Sequence, residues 1–142
     1  MKRIIVDTGV WYACFDKTDD NHHCYKKILH VLNSSEIIIP FPTLYETINT
    51  RFAKNTYGQM SGLDGFIRNP QKTYIIADDK YKTEALRLVF QKVAKGKGYS
   101  LVDMIIRLMI EDVSLGDISV MTFNVGDFYG IRNIEIINPI GL

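Results

Sequence analysis

The sequence predicts an α/β fold, a parallel sheet of four to five short strands flanked by helices, and two observations carry that prediction. Short β-branched runs recur at residues 2–6, 36–39, 73–76, 118–121 and 134–137. Stretches with helical spacing separate most of them, so the connections are long enough for right-handed crossovers between parallel strands whose faces the helices cover.

Each element has its own signal. Residues 2–6, Lys-Arg-Ile-Ile-Val, form the first strand and end at Asp7. After the second strand, Pro40 and Pro42 stop the extended chain and Thr43 starts a helix. Residues 55–70, with Gly58, Gly62 and Gly65, give the weakest helical signal and read as a flexible excursion. Over residues 80–94, Ala85, Leu86, Val89, Phe90 and Val93 share one helical face, and Lys80, Glu84, Arg87 and Gln91 another. A further helix begins near Ser100 and precedes the strands at 118–121 and 134–137.

The chain has 142 residues, 46% hydrophobic and 23% charged, the balance of one globular domain over residues 1–142. No apolar run approaches the roughly 20 residues needed to cross a bilayer, which excludes a membrane partner. Cys14 and Cys24 form neither a CxxC pair nor a zinc or disulfide spacing, so a cytoplasmic setting is expected. The net charge of +1 hides polarity: residues 1–97 carry fifteen Lys and Arg against ten Asp and Glu, and residues 98–142 two against six. The basic part is compatible with a phosphate-bearing partner, but the solvated face of a helix is the preferred explanation.

Open α/β sheets bind ligands outside the carboxyl ends of their strands. Asp7 lies there, as does Thr122-Phe123-Asn124-Val125-Gly126-Asp127 after the fourth strand. Glu46 and Asp103 lie in the first turns of their helices. Converging carboxylates repel, by about 4 kcal/mol for two unit charges about 4 Å apart at an effective dielectric of 20. A divalent cation resolves that conflict, and oxygen ligands without Cys or His suit Mg²⁺ or Mn²⁺.

Structural explanations compete. Thr43-Leu44-Tyr45-Glu46 and Ser100-Leu101-Val102-Asp103 both read as capping boxes or near variants, which alone accounts for two acids. Arg107, four residues after Asp103, forms an ordinary helical ion pair or binds phosphate, with the ion pair preferred. Asn124 and Asp127 equally shape a turn around Gly126. Asp7 is harder to explain structurally, because Asp is depleted from strands and follows an apolar run here, so the functional reading is preferred for it. His22, His23 and Cys24 are adjacent and cannot all face one ion, so Asp20 reads as a helix cap and His22 as a packing residue.

In order, these segments resemble the PIN domain, a family of Mg²⁺- or Mn²⁺-dependent nucleases on a parallel α/β sheet. Ile4-Ile5-Val6-Asp7-Thr8 with Trp11, Tyr12 and Ala13, then Asp20-Asn21-His22, is similar to its opening, and Pro42-Thr43-Leu44-Tyr45-Glu46 to its second acidic motif. Ser100-Leu101-Val102-Asp103 resembles the third, and Thr122 to Phe128 the fourth in the VapC-like form found in toxins of toxin-antitoxin pairs. The resemblance implies a three-layer sandwich. It implies Asp7 and Asp103 as principal metal ligands, Glu46 and Asp127 as further ligands or water-positioning groups, and Thr8, Thr122 and Asn124 as hydrogen-bonding support. Asn124 departs from the pattern, standing where many relatives have an acid.

The implied reaction is hydrolysis of an RNA phosphodiester to a 5′-phosphate and a 3′-hydroxyl. A cognate antitoxin and a homodimer are the implied partners. Arg51, Lys54, Tyr57 and Arg68, with Arg107, are candidate RNA contacts. Two rivals stand: a non-catalytic RNA-binding or scaffold protein of the same fold, and a homodimeric aspartic protease using Asp7-Thr8-Gly9, which the helical stretch at 80–94 argues against.

Overall fold

In the computed structural model, which describes residues 1–49, 52–53, 60–131 and 133–142, the strand-like runs pair into one all-parallel sheet. The strands are β1 (Lys2–Val6), β2 (Ser35–Pro40), β3 (Thr73–Ile76), β4 (Ser119–Met121) and β5 (Ile136–Ile137), in spatial order β3-β2-β1-β4-β5. Ile4 lies opposite Ile37 on one side and Ser119 on the other, so β1 is central. Asp7, the residue after β1, continues the ladder by donating its N–H to the Met121 carbonyl at 3.0 Å.

Strand side chains alternate between the two faces, and both faces are covered, as a parallel sheet requires. On one face Ile4, Val6, Ile37, Ile39 and Met121 pack with Trp11, Phe15, Ile28 and Leu63. These come from α1 (Thr8–Phe15), α2 (Tyr25–Asn33) and α4 (Met60–Ile67). On the other, Ile5, Ile38 and Val120 pack with Ala85, Met104, Ile106 and Met109, from α5 (Lys82–Ala94) and α6 (Leu101–Glu111). The short α3 (Phe41–Thr47) leaves the end of β2. Among the described residues no helix is long and apolar enough to cross a membrane.

Three local expectations are corrected. Residues 60–67 are helical despite two glycines, because Gly62 has a packing duty: a Cβ there would stand 2.3 Å from the Phe15 ring, so only glycine lets α4 close on α1. The first part of the predicted excursion, residues 55–59, lies outside the described residues. On α5 the inward side is Ala85 with the partly buried Leu88 and Val89. Leu86, Phe90 and Val93, assigned to the same face from sequence, are 48%, 69% and 56% exposed. The sheet lies under one flank of a helix that has two apolar flanks.

Asp20 does not cap a helix. Asp19 accepts from the Asn21 N–H at 2.9 Å, and a 3₁₀ turn, His22–Cys24, leads into α2. His22 packs as expected, its Nδ1 2.8 Å from the Ala13 carbonyl and its ring stacked on Tyr25. Cys14 and Cys24 are free and buried, and burial pushes the Cys14 thiol up to about 12.

Candidate active site

All four predicted acids belong to one electrostatic neighbourhood at the carboxyl end of the sheet. Asp7 is held there by two roles at once. As N-cap of α1 its carboxylate accepts from the Thr8 N–H at 2.9 Å. Its second oxygen accepts from the Thr122 hydroxyl at 2.8 Å. That hydroxyl in turn accepts from the Asn124 N–H at 3.0 Å. The end of β1 is thereby tied to the segment after β4, where Thr122 is fully buried. Asn124 supports the site through its main chain; its exposed side chain makes no cap.

Glu46 does not close a capping box. Strand β2 runs through Pro40, which is the N-cap of α3, and the Thr43 hydroxyl donates back to the Pro40 carbonyl at 2.7 Å. Glu46 instead bonds the Thr8 side chain and feels Asp7. The Thr47 hydroxyl lies 3.3 Å from that of Thr8, and the Tyr12 hydroxyl donates to the Glu46 carbonyl at 2.7 Å. Sequence reasoning misses Tyr12 and Thr47. Thr47 lies one turn after Thr43 on the buried side of α3, the only trace of its place; Tyr12 carries no signal beyond its position in the first motif.

Asp103 does occupy a capping position. The Ser100 hydroxyl accepts from its N–H at 3.0 Å at the start of α6. Capping and a place among the other acids are compatible, since the cap engages the main chain. Arg107 makes no described ion pair with Asp103. Its Nη1 donates to the Asp127 and Tyr129 carbonyls, both at 3.0 Å, and the guanidinium lies 4.8 Å from the centre of the Tyr99 ring. Asp127 itself sits in the 3₁₀ turn Val125–Phe128.

Asp7, Glu46 and Asp103 hold their protons more tightly than ordinary carboxyls. Burial pushes Asp7 up, opposed by its bonds from Thr122 and Thr8, and the charge of Asp127 adds to the rise. Partial burial and then Asp7 raise Glu46, against the Thr8 bond. Asp103 rises to about 6, first through burial, opposed by Ser100, and then through Asp7, Asp127 and Glu46. Desolvated like charges are the ordinary source of such shifts, and they cluster at functional sites.

This donor set has the chemistry of a hard divalent-cation site: it offers carboxylate oxygens held by hydroxyl and amide donors, and among the described residues none of these acids makes an ion pair. Among the described residues no three His, Cys, Asp or Glu side chains are drawn tightly enough around one point to grip an ion as they stand.

Of the predicted RNA contacts, Arg51, Lys54 and Tyr57 lie outside the described residues. Arg68 is engaged by Asp64, 2.5 Å away and one helical turn earlier. The parallel sheet between helical layers also disposes of the protease reading, since Asp7-Thr8-Gly9 here opens a helix.

No family model and no curated protein match this sequence. Solved structures do. VapC20 of Mycobacterium tuberculosis, a toxin that cleaves the sarcin-ricin loop, is similar at 19% identity and a TM-score of 0.70, over 95% of this chain and 99% of its own. FitAcB of Neisseria gonorrhoeae follows at 17% identity and 0.63, over 98% and 99%. VapBC2 of Rickettsia felis, solved with a DNA fragment from its promoter, gives 18% and 0.60, over 96% and 98%. At such identities the likeness is one of fold, and it spans the whole of each structure. The α/β architecture of this chain is therefore the PIN-like fold of these structures.

Proposed function

We propose that this chain is a Mg²⁺- or Mn²⁺-dependent endoribonuclease, a single nuclease domain over residues 1–142 that acts in the cytoplasm as the toxin of a toxin-antitoxin pair. One observation carries the reading: Asp103, Asp7, Glu46 and Asp127 come from four separate segments of the chain, and Asp103 feels the charge of the other three. A structural ion network would pair such acids with cations, and among the described residues none of the four makes an ion pair.

Asp7 and Asp103 would hold the ion, with Glu46 and Asp127 completing its surroundings. When bound, such an ion lowers the pKa of water and stabilises charge on phosphate oxygens. The protein's own part is positional. Thr122 and the Thr8 N–H fix both oxygens of Asp7. Glu46, exposed and with raised proton affinity, suits acceptance of a proton from the attacking water, a role worth about 10²–10⁴-fold. Attack at phosphorus releases the 3′-hydroxyl and leaves the 5′-phosphate. The fold likeness to a toxin that cleaves the sarcin-ricin loop supports RNA as the substrate, and the likeness to VapBC2 supports a protein antitoxin as partner.

The purified protein is expected to cleave RNA with Mg²⁺ or Mn²⁺ and to lose that activity in EDTA. Cleavage that persists in EDTA, or in an Asp7→Asn variant, would overturn the reading. No cleavage by the wild type under any of these conditions would favour the non-catalytic alternative.

The homodimer is assigned to α5. Leu86, Phe90 and Val93 make an exposed apolar stripe at helical spacing. Two copies crossing on this face would cover both stripes. Light scattering should give the mass of a dimer for the wild type and of a monomer for Phe90→Glu; equal masses for the two would exclude this face.

A further inference from the structure

We infer that Arg107 is a positioning residue, one that sets the Asp127 turn against the start of α6 and so couples Asp127 to Asp103. The inference rests on the metal site proposed above.

The geometry is specific. Residues four apart on a helix share a face, so Arg107 stands one turn beyond Asp103 on α6. Its Nη1 carries two hydrogens and has two carbonyl acceptors, those of Asp127 and Tyr129. They bracket the fully buried Phe128. The other end of the coupling is Tyr99, whose ring lies 4.8 Å from the guanidinium carbon. Tyr99 directly precedes Ser100, the N-cap that receives the Asp103 N–H. One side chain therefore touches the peptide segment before the first acid and the peptide groups around the second.

The turn needs such an anchor. Within it the Asp127 N–H reaches the Asn124 carbonyl at 3.1 Å, but the Tyr129 N–H reaches that of Gly126 only at 3.5 Å. The chain then leaves through Gly130 at φ +85°, a conformation that glycine adopts readily. Local bonding leaves the orientation of Asp127 loosely set, and the bond from α6 supplies what is missing. Only arginine has the shape for this, with a planar group that lies against the Tyr99 ring and presents paired N–H donors. A lysine would offer a point charge to one acceptor at a time.

The test uses Mn²⁺ alone as probe, titrated calorimetrically into the full-length protein, with RNA cleavage measured alongside. Arg107→Lys and Arg107→Ala are expected to weaken Mn²⁺ binding by about 10–100-fold, as loss of an outer support of a ligand does. They should lower kcat and leave KM for RNA nearly unchanged. Asp127→Asn should weaken Mn²⁺ binding in the wild-type background and add little in Arg107→Ala, since residues that act through one another are not additive. Should Arg107→Ala fail to fold, the same comparison in Arg107→Lys decides. Additive losses, unchanged Mn²⁺ affinity, or a rise in KM with metal binding intact, the sign of a phosphate contact, would each overturn the assignment while leaving the metal site standing. A wild type that binds no Mn²⁺ would overturn the site and the assignment together.

Discussion

Asp103→Asn is expected to lower RNA cleavage by about a thousandfold and, in EDTA near neutral pH, to raise the thermal midpoint of the protein. Both effects follow from one carboxyl group. Burial and then the charges of Asp7, Asp127 and Glu46 lift its pKa to about 6 from the ordinary 3.8. The folded chain therefore binds this proton more tightly than the unfolded chain does. By linkage, an acid shifted this way lowers stability as pH rises through the interval between the two values, and the loss is complete above about pH 6. Asparagine keeps the shape and removes the charge, so it relieves the repulsion and forfeits the ligand. The advantage of Asp103→Asn should shrink as the pH falls from about 7 toward 4. Thermal melts of both proteins in EDTA across that range measure it. A variant less stable than wild type at neutral pH, or a difference insensitive to pH, would contradict the environment assigned to Asp103.

Trp11→Ala should cost about 3–5 kcal/mol, lowering the midpoint by about 10–20 °C for a domain of this size. Trp11 is fully buried, stacked on Phe15 with ring centres 6.1 Å apart and tilted against Phe66 at 5.6 Å. These contacts join α1, which starts at Asp7, to α4. Set against a total stability of about 5–15 kcal/mol, the loss leaves little margin. Trp11→Phe should cost far less, because among the described residues the buried indole N–H has no hydrogen-bond partner and its removal exposes no unsatisfied group. Denaturant unfolding of both variants gives the comparison, and equal losses would mean that the ring system matters less than the N–H.

Much of the fold is legible along the chain because its signals are local. The run Ile4-Ile5-Val6 is buried on both faces, and continuous β-branched runs are what a covered parallel strand needs. All five predicted strands are present within two residues at either end. The helix at 80–94 was equally visible, but its buried flank was not. Leu86, Phe90 and Val93 are as apolar as Leu88 and Val89, and only the position of the sheet decides which flank it covers. Gly62 misled for a related reason: glycine weakens a helix in isolation, and its value here is room for Phe15, a residue 47 positions earlier.

The candidate site divides in the same way. By itself the sequence determined that Asp7 follows a buried strand, that Asp103 stands at the start of a helix, and that Thr122 to Asp127 forms a turn, since each depends on neighbours a few residues away; Glu46, expected in the first turns of its helix, lies in the last turn of α3, because that helix starts at Phe41. Tertiary structure alone decided that Glu46 serves Thr8 and Asp7 rather than a capping box, and that Asp103 both caps and faces the other acids. It also decided that Arg107 turns from its helical neighbour to the carbonyls of Asp127 and Tyr129. Those choices are made by strand order, which sets β1 beside β4 and so brings Asp7 to Thr122 across 115 residues of chain. A hydrogen bond or a repulsion depends on distance in space, which the one-dimensional pattern does not carry.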